Sequence, residues 1–131
     1  MEQPTITPGE LSQFTGTEHY YRVSPIHGNL VLTDGVKYLC ERAQCYWLVD
    51  IVASYQYKLT SEPFQVWTLD IDADEMRGSV RCEDGNGNIL VRQELEYTDF
   101  PIETGITLFL EEGGIGPLGP VYMVLMLTSE R

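Results

Sequence analysis

Four acidic side chains within six positions form the densest carboxylate cluster of the chain: Asp70, Asp72, Asp74 and Glu75. Alternate residues of an extended strand project to one face, so the three aspartates are predicted to lie together. Hard cations bind oxygen clusters of this kind. The calcium-loop pattern, however, requires glycine at the sixth position and glutamate at the twelfth, and here these are Glu75 and Arg81. We therefore predict an exposed acidic strand end without a metal.

A second set of oxygen ligands, Asp84, Asn86 and Asn88, has similar spacing. Its sixth and twelfth positions are Ile89 and Leu95, so the calcium-loop pattern fails again. Asp-Gly and Asn-Gly pairs are typical of tight hairpins. The segment is predicted to be a hairpin turn.

The three cysteines, Cys40, Cys45 and Cys82, are an odd number, which favours free thiols and a reducing compartment. A structural zinc site normally needs two close ligand pairs, whereas only His19 and His27 could supply nitrogen ligands here. We predict buried, unreactive thiols, and neither a metal nor a cofactor.

A catalytic cysteine or serine needs a base and an orienting group. His19 or His27 with Asp34 or Asp50 could supply them, but no Gly-x-Ser-x-Gly motif is present. Asp50 lies within an apolar helical segment, where it is either a buried carboxylate with a structural hydrogen bond or a functional acid.

Helical patterns dominate the first half of the chain. Thr7 followed by Glu10 forms a capping box that predicts a short helix through Gln13. From residue 36 to residue 55, apolar side chains recur at steps of three and four. This stripe predicts one long helix, or two short ones broken near 44–46, over about 35–56. Short extended pieces are expected at 19–23 and 29–32, with a turn at 25–28 between them.

After residue 63 the apolar period changes to two, which indicates strands. We expect five of them: Phe64–Ile71, Gly78–Glu83, Asn88–Tyr97, Ile106–Glu111 and Val121–Thr128. The glycine- and proline-rich stretch 113–120 is predicted to be a loop. These patterns predict one α+β domain over 1–131, with N-terminal helices packed on a C-terminal antiparallel meander of about five strands.

The net charge of −12 is concentrated in the second half of the chain. Residues 1–61 carry six acidic and four basic residues, whereas residues 62–131 carry fourteen and four. Such a surface repels nucleic acids and anionic membranes and attracts basic protein surfaces. The N-terminus has neither a basic start nor an apolar run, so no signal peptide is predicted and a cytoplasmic location is expected.

Several stretches resemble a family of small uncharacterised proteins found in bacterial genomes, plasmids and phages. The stretches are Leu11–Glu18, Thr33–Leu39, Tyr46–Gln56, Phe64–Trp67, Asp84–Asn88 and Tyr97–Pro101. The resemblance implies a mobile-element setting and brings no assigned activity.

Two functions are consistent with these observations. The first is a non-enzymatic acidic domain that binds a basic protein surface through Asp70, Asp72, Asp74, Glu75, Glu94 and Glu96. In a mobile-element setting it would mask the nucleic-acid-binding surface of a host defence protein, as an anti-CRISPR-like inhibitor. The alternative is a small hydrolase or ligand-binding enzyme that uses Asp50, His19 or the Asp70–Glu75 cluster. The lack of a catalytic motif favours the first.

Overall fold

A computed structural model describes residues 6–23, 29–114 and 121–131. Its helices are α1 (Pro8–Leu11), α2 (Asp34–Ala43) and α3 (Tyr46–Ser54). Its strands are β1 (Tyr20–Arg22), β2 (Leu30–Thr33), β3 (Phe64–Asp72), β4 (Arg77–Glu83), β5 (Ile89–Leu95), β6 (Ile106–Gly114) and β7 (Val121–Leu127). The predicted turn at 25–28, His27 and most of the predicted loop 113–120 lie outside the described residues.

The helices begin where the sequence predicts them. The hydroxyl oxygen of Thr7 accepts a hydrogen bond from the Glu10 amide at 3.2 Å, and that of Thr33 accepts one from the Val36 amide at 3.3 Å. Threonine at these positions satisfies amides that have no partner within the helix. Gln44 ends α2 in a left-handed conformation with φ of 53°. The second alternative, two helices broken near residue 44, is therefore confirmed.

The sheet is larger than predicted. It has seven strands in the order β1-β2-β7-β6-β3-β4-β5, and all neighbours are antiparallel except β2 and β7, which are parallel. The expectation of about five antiparallel strands was wrong because both short extended pieces join the sheet. Since β1 and β2 precede α2, the helices are also not simply N-terminal to the sheet. All four residues of β2 are buried, so its pattern lacks the alternation that would have identified its faces.

The second half of the chain is not a simple meander. β3, β4 and β5 pair consecutively, but β6 returns to pair with β3 rather than β5. The connecting segment brings Phe100 and Ile102 into the core. It re-enters the sheet at Gly105, which has φ of 73° and lies so close to the Leu69 carbonyl that a side chain there would collide with it.

The main hydrophobic core lies between the helices and one face of the sheet, and a smaller buried cluster of Val31, Val124 and Met126 lies on the opposite face. On α3, Leu48 and Val52 are buried, whereas Trp47 and Ile51, which belong to the same apolar stripe, are only half-buried. The opposite face of the sheet is called the open face here, because the residues of α1, α2 and α3 that enter the core all pack on the other side. Among the described residues, no helix is long and apolar enough to cross a bilayer.

Candidate functional site

The six acidic residues predicted to bind a partner lie at one corner of the sheet, where β3 ends, β4 begins and β5 ends. We call Asp70, Asp72, Asp74, Glu75, Glu94 and Glu96 the acidic corner. Asp70 pairs with Ser79 on β4, and Ser79 pairs in turn with Glu94 on β5. Asp70 and Glu94 are thus two strand spacings apart across the open face, which is about 10 Å at about 4.8 Å per strand.

The strands end earlier than the sequence suggested. β3 ends at Asp72, so Asp74 lies in the turn that leads to β4 rather than on a strand face shared with Asp70 and Asp72. β5 ends at Leu95, so Glu96 follows the strand rather than continuing its alternation. The predicted rows of aligned aspartates and glutamates are therefore shorter than expected.

Local hydrogen bonds hold these two acidic segments together. The Glu75 amide donates to Asp72 Oδ1 at 3.3 Å within the turn, which closes at Met76 with φ of 50°. The Thr98 amide donates to the Met76 carbonyl at 2.8 Å. That bond fixes the segment after β5 against the β3–β4 turn, and it brings Glu96 to the same corner.

Part of the acidic corner forms an open depression of about 330 Å³. Asp70, Asp72, Glu75 and Glu94 line it, together with Arg77 and Ser79. All members of the corner are exposed except Asp70, which is half-buried. The depression is open to solvent and is not the enclosed apolar cavity typical of small-molecule sites.

Three arginines that were not among the predicted site residues lie among these carboxylates. Arg81 forms an ion pair with Asp70 and contacts Glu83 at 3.5 Å, and Arg92 contacts Glu94 at 3.6 Å. Arg77 lines the depression. The strand part of the corner is therefore of mixed charge, and the excess negative charge lies at the turn. Alternate residues of a strand share a face, and this spacing puts the arginines of β4 and β5 on the open face. The sequence pattern alone could therefore have identified them.

Within the described parts of the chain, no three histidine, cysteine, aspartate or glutamate side chains are grouped as metal ligands. At the predicted hairpin turn, Asp84 instead accepts hydrogen bonds from the Asn86 amide at 2.8 Å and the Asn88 side chain at 2.8 Å. These hydrogen bonds, of which that from the Asn88 side chain has the largest effect, lower the pKa of Asp84. Its oxygens organise the turn.

The candidate catalytic pair lies far from the acidic corner. His19 Nδ1 is 3.7 Å from Asp34 Oδ1, beside β1 at one side of the sheet. Four strand spacings separate β1 from β3, which is about 19 Å. Asp34 accepts hydrogen bonds from the Glu18 amide and the Tyr21 hydroxyl, both at 2.9 Å. These hydrogen bonds, of which that from Glu18 has the largest effect, lower the pKa of Asp34. The same bonds fix the 17–21 segment against the start of α2.

The remaining candidates are separated as well. Asp50 is exposed on α3, so the first of its two interpretations, a buried carboxylate, is wrong. All three cysteines are free and buried. Burial raises the pKa of Cys82 to about 12, and a hydrogen bond with Cys45, together with burial, raises that of Cys40. Nucleophilic cysteines need a lowered pKa and access to solvent. Cys40 and Cys82 have neither, and Cys45 is buried.

One group that sequence reasoning missed connects the segment after β7 with the start of α2. Glu130 Oε1 accepts from the Thr33 hydroxyl at 2.6 Å and the Leu127 amide at 2.9 Å, and Oε2 accepts from the Gly35 amide at 3.1 Å. We call this arrangement the Glu130 latch. A methyl group at Gly35 would lie 2.5 Å from Glu130 Oε1, which explains the glycine there. No local pattern indicates a contact across 97 positions of sequence.

Comparison with known proteins gives one result. A family model described as a family of unknown function, DUF6876, matches residues 5–131. No curated protein and no solved structure shows detectable similarity to the chain.

Proposed function

We propose that the chain, which belongs to this family of unknown function, is a non-enzymatic domain. It binds a basic surface of another protein through the acidic corner. The observation that carries the proposal is the position of six acidic side chains at one corner of a sheet, on or beside a face that the helices leave open. Five of the six are exposed.

The arginines of the corner refine this proposal. Arg81 and Arg92 already pair with Asp70 and Glu94, so these acids are partly neutralised. Asp72, Asp74, Glu75 and Glu96 are exposed, and no ion pair of the described residues involves them, although Asp72 accepts a hydrogen bond from the Glu75 amide. They are therefore the acids best able to attract a basic partner, while the arginine–carboxylate pairs would fix its orientation.

The proposed partner is a nucleic-acid-binding protein of a host defence system. Such a protein presents a basic surface, and a chain with a net charge of −12 would occupy it in place of a phosphate backbone. The resemblance to phage- and plasmid-borne proteins suggests this setting. Long-range attraction requires only the sign and density of charge, so the corner need not reproduce phosphate spacing. A protein acting in this way would function in the cytoplasm.

The experiment compares three forms of the chain as bait for a bacterial lysate. They are the wild type, a corner variant with Asp74, Glu75 and Glu96 changed to lysine, and a control variant with Glu18, Asp50 and Glu112 changed to lysine. All six positions are exposed, and the two variants have the same net charge. A partner of the corner is captured by the wild type and by the control variant but not by the corner variant.

A captured protein is then purified and titrated with duplex DNA as competitor. Competition between the DNA and the wild-type chain for that protein is the result expected of mimicry. Equal loss of capture by both variants would show that only net charge matters. Capture that persists in the corner variant would contradict the proposal.

A further inference from the structure

Among the described strands, β5 forms one edge of the sheet and pairs only with β4. It is seven residues long, whereas β1 at the other edge has three. A long edge strand presents unpaired backbone amides and carbonyls that can accept another strand. Its side chains alternate: Val91 and Leu95 face the helices as part of the core, and Arg92 and Glu94 are exposed on the open face.

We propose that β5 pairs antiparallel with β5 of a second copy of the chain, around a two-fold axis at Gln93. In this register Arg92 lies opposite Glu94 of the second copy, and the symmetry repeats that pair on the other side of the axis. Val91 lies opposite Leu95 of the second copy, which continues the apolar face from one core to the other. Directly opposed side chains of opposite charge stabilise antiparallel strands.

The order of charges selects this register over its neighbours. A two-fold axis perpendicular to a sheet keeps each side chain on its own face, so it has to pass through a residue rather than between two. Centring the pair on Arg92 puts two arginines opposite each other, and centring it on Glu94 does the same with two glutamates. Centring it on Leu95, the last residue of β5, leaves Glu94 without a strand residue opposite it. Like charges directly opposite destabilise a strand pair.

The ends of β5 favour the same arrangement. Ile89 is 54% exposed and Tyr97 is 66% exposed, and both belong to the small set of large apolar side chains that face solvent. The register centred on Gln93 places Ile89, at the start of β5, beside the segment that follows β5 in the second copy and carries Tyr97, so both exposed apolar side chains lie next to the strand pair. Charged residues on an edge usually prevent strand pairing, but here their order is self-complementary.

The pairing goes beyond the proposed function, because it involves no other protein. A perpendicular two-fold axis leaves both open faces on the same side of the joined sheet, so two acidic corners would face one partner. The interface is narrow, and a weak, concentration-dependent dimer is expected.

The test is sedimentation of the purified chain from micromolar to millimolar concentration, without any partner. We expect the wild type to dimerise. Arg92→Glu or Glu94→Arg alone places like charges opposite each other at both pairs, and each should weaken the dimer about tenfold or more. The double exchange R92E/E94R restores the opposite charges and the dimer. An equimolar mixture of the two single variants should form a heterodimer.

Arg77→Glu is the matched control, because Arg77 is exposed at the start of β4 and the substitution changes the charge equally without touching the edge strand. This substitution should leave the dissociation constant of the dimer unchanged. Circular dichroism of every variant checks that the fold is retained. A wild type that remains monomeric over the whole range would overturn the proposal. So would a dimer that R77E weakens as much as R92E, or one that the double exchange fails to restore.

Discussion

Carboxylates are used in opposite ways in two regions of this molecule. At the start of α2, Asp34 and Glu130 bind amides and hydroxyls of distant segments. In the acidic corner, Asp74, Glu75 and Glu96 face solvent at the end of the sheet. The difference separates acids that determine the fold from acids available to a partner. It also means that net charge alone cannot identify the functional ones.

The largest effect on stability is expected from breaking the Glu130 latch. Glu130→Ala removes the acceptor of the Thr33 hydroxyl and of two amides, so the free energy of unfolding should fall by about 2–3 kcal/mol. Urea unfolding of this variant gives the value. Glu112→Ala, at an exposed position, is the control and should change stability by less than about 0.5 kcal/mol. Equal effects of the two substitutions would mean that the latch is not structural.

A second variant tests whether the latch acts as a unit. Thr33→Val removes both the cap of α2 and the donor to Glu130, and it should cost about 1–2 kcal/mol. Because the two residues share a hydrogen bond, the double variant T33V/E130A should lose less stability than the sum of the single losses. Strictly additive losses would show that Thr33 and Glu130 act independently.

The pH dependence of stability tests the role of Asp34. Its pKa is lowered in the folded chain, so its contribution is present above its unfolded pKa of about 3.9 and is lost as the pH falls through the folded value. Wild type should therefore be more stable than Asp34→Asn near neutral pH, and the difference should shrink below about pH 4. Thermal unfolding at a series of pH values measures it. A stability difference between the two forms that does not change with pH would show that the charge of Asp34 is not its cause.

The smallest effect on stability is expected in the acidic corner. The corner variant with lysine at positions 74, 75 and 96 should unfold at the same urea concentration as the wild type, because exposed charges contribute little to stability. A large loss would show that these acids belong to the fold, as Asp34 and Glu130 do.

Local patterns predicted much of this structure. The capping box at Thr7 marked one helix start, the apolar stripe marked α2 and α3, and alternation marked the strands of the second half. What the sequence did not provide was long-range pairing: β2 beside β7, β6 beside β3, and Glu130 against Thr33. Each depends on packing between segments that are far apart in the chain. The acidic corner was found by composition, but the arginines that neutralise part of it were overlooked.

The most direct test of the acidic corner is a binding titration against a purified basic partner at low and high salt. It uses the wild type, the corner variant and the control variant with lysine at positions 18, 50 and 112. Wild type and control should bind with similar affinity and weaken steeply as salt rises, because exposed charges are screened. The corner variant should bind about tenfold more weakly at low salt and depend less on salt. Equal affinity of all three forms, unaffected by salt, would contradict the account.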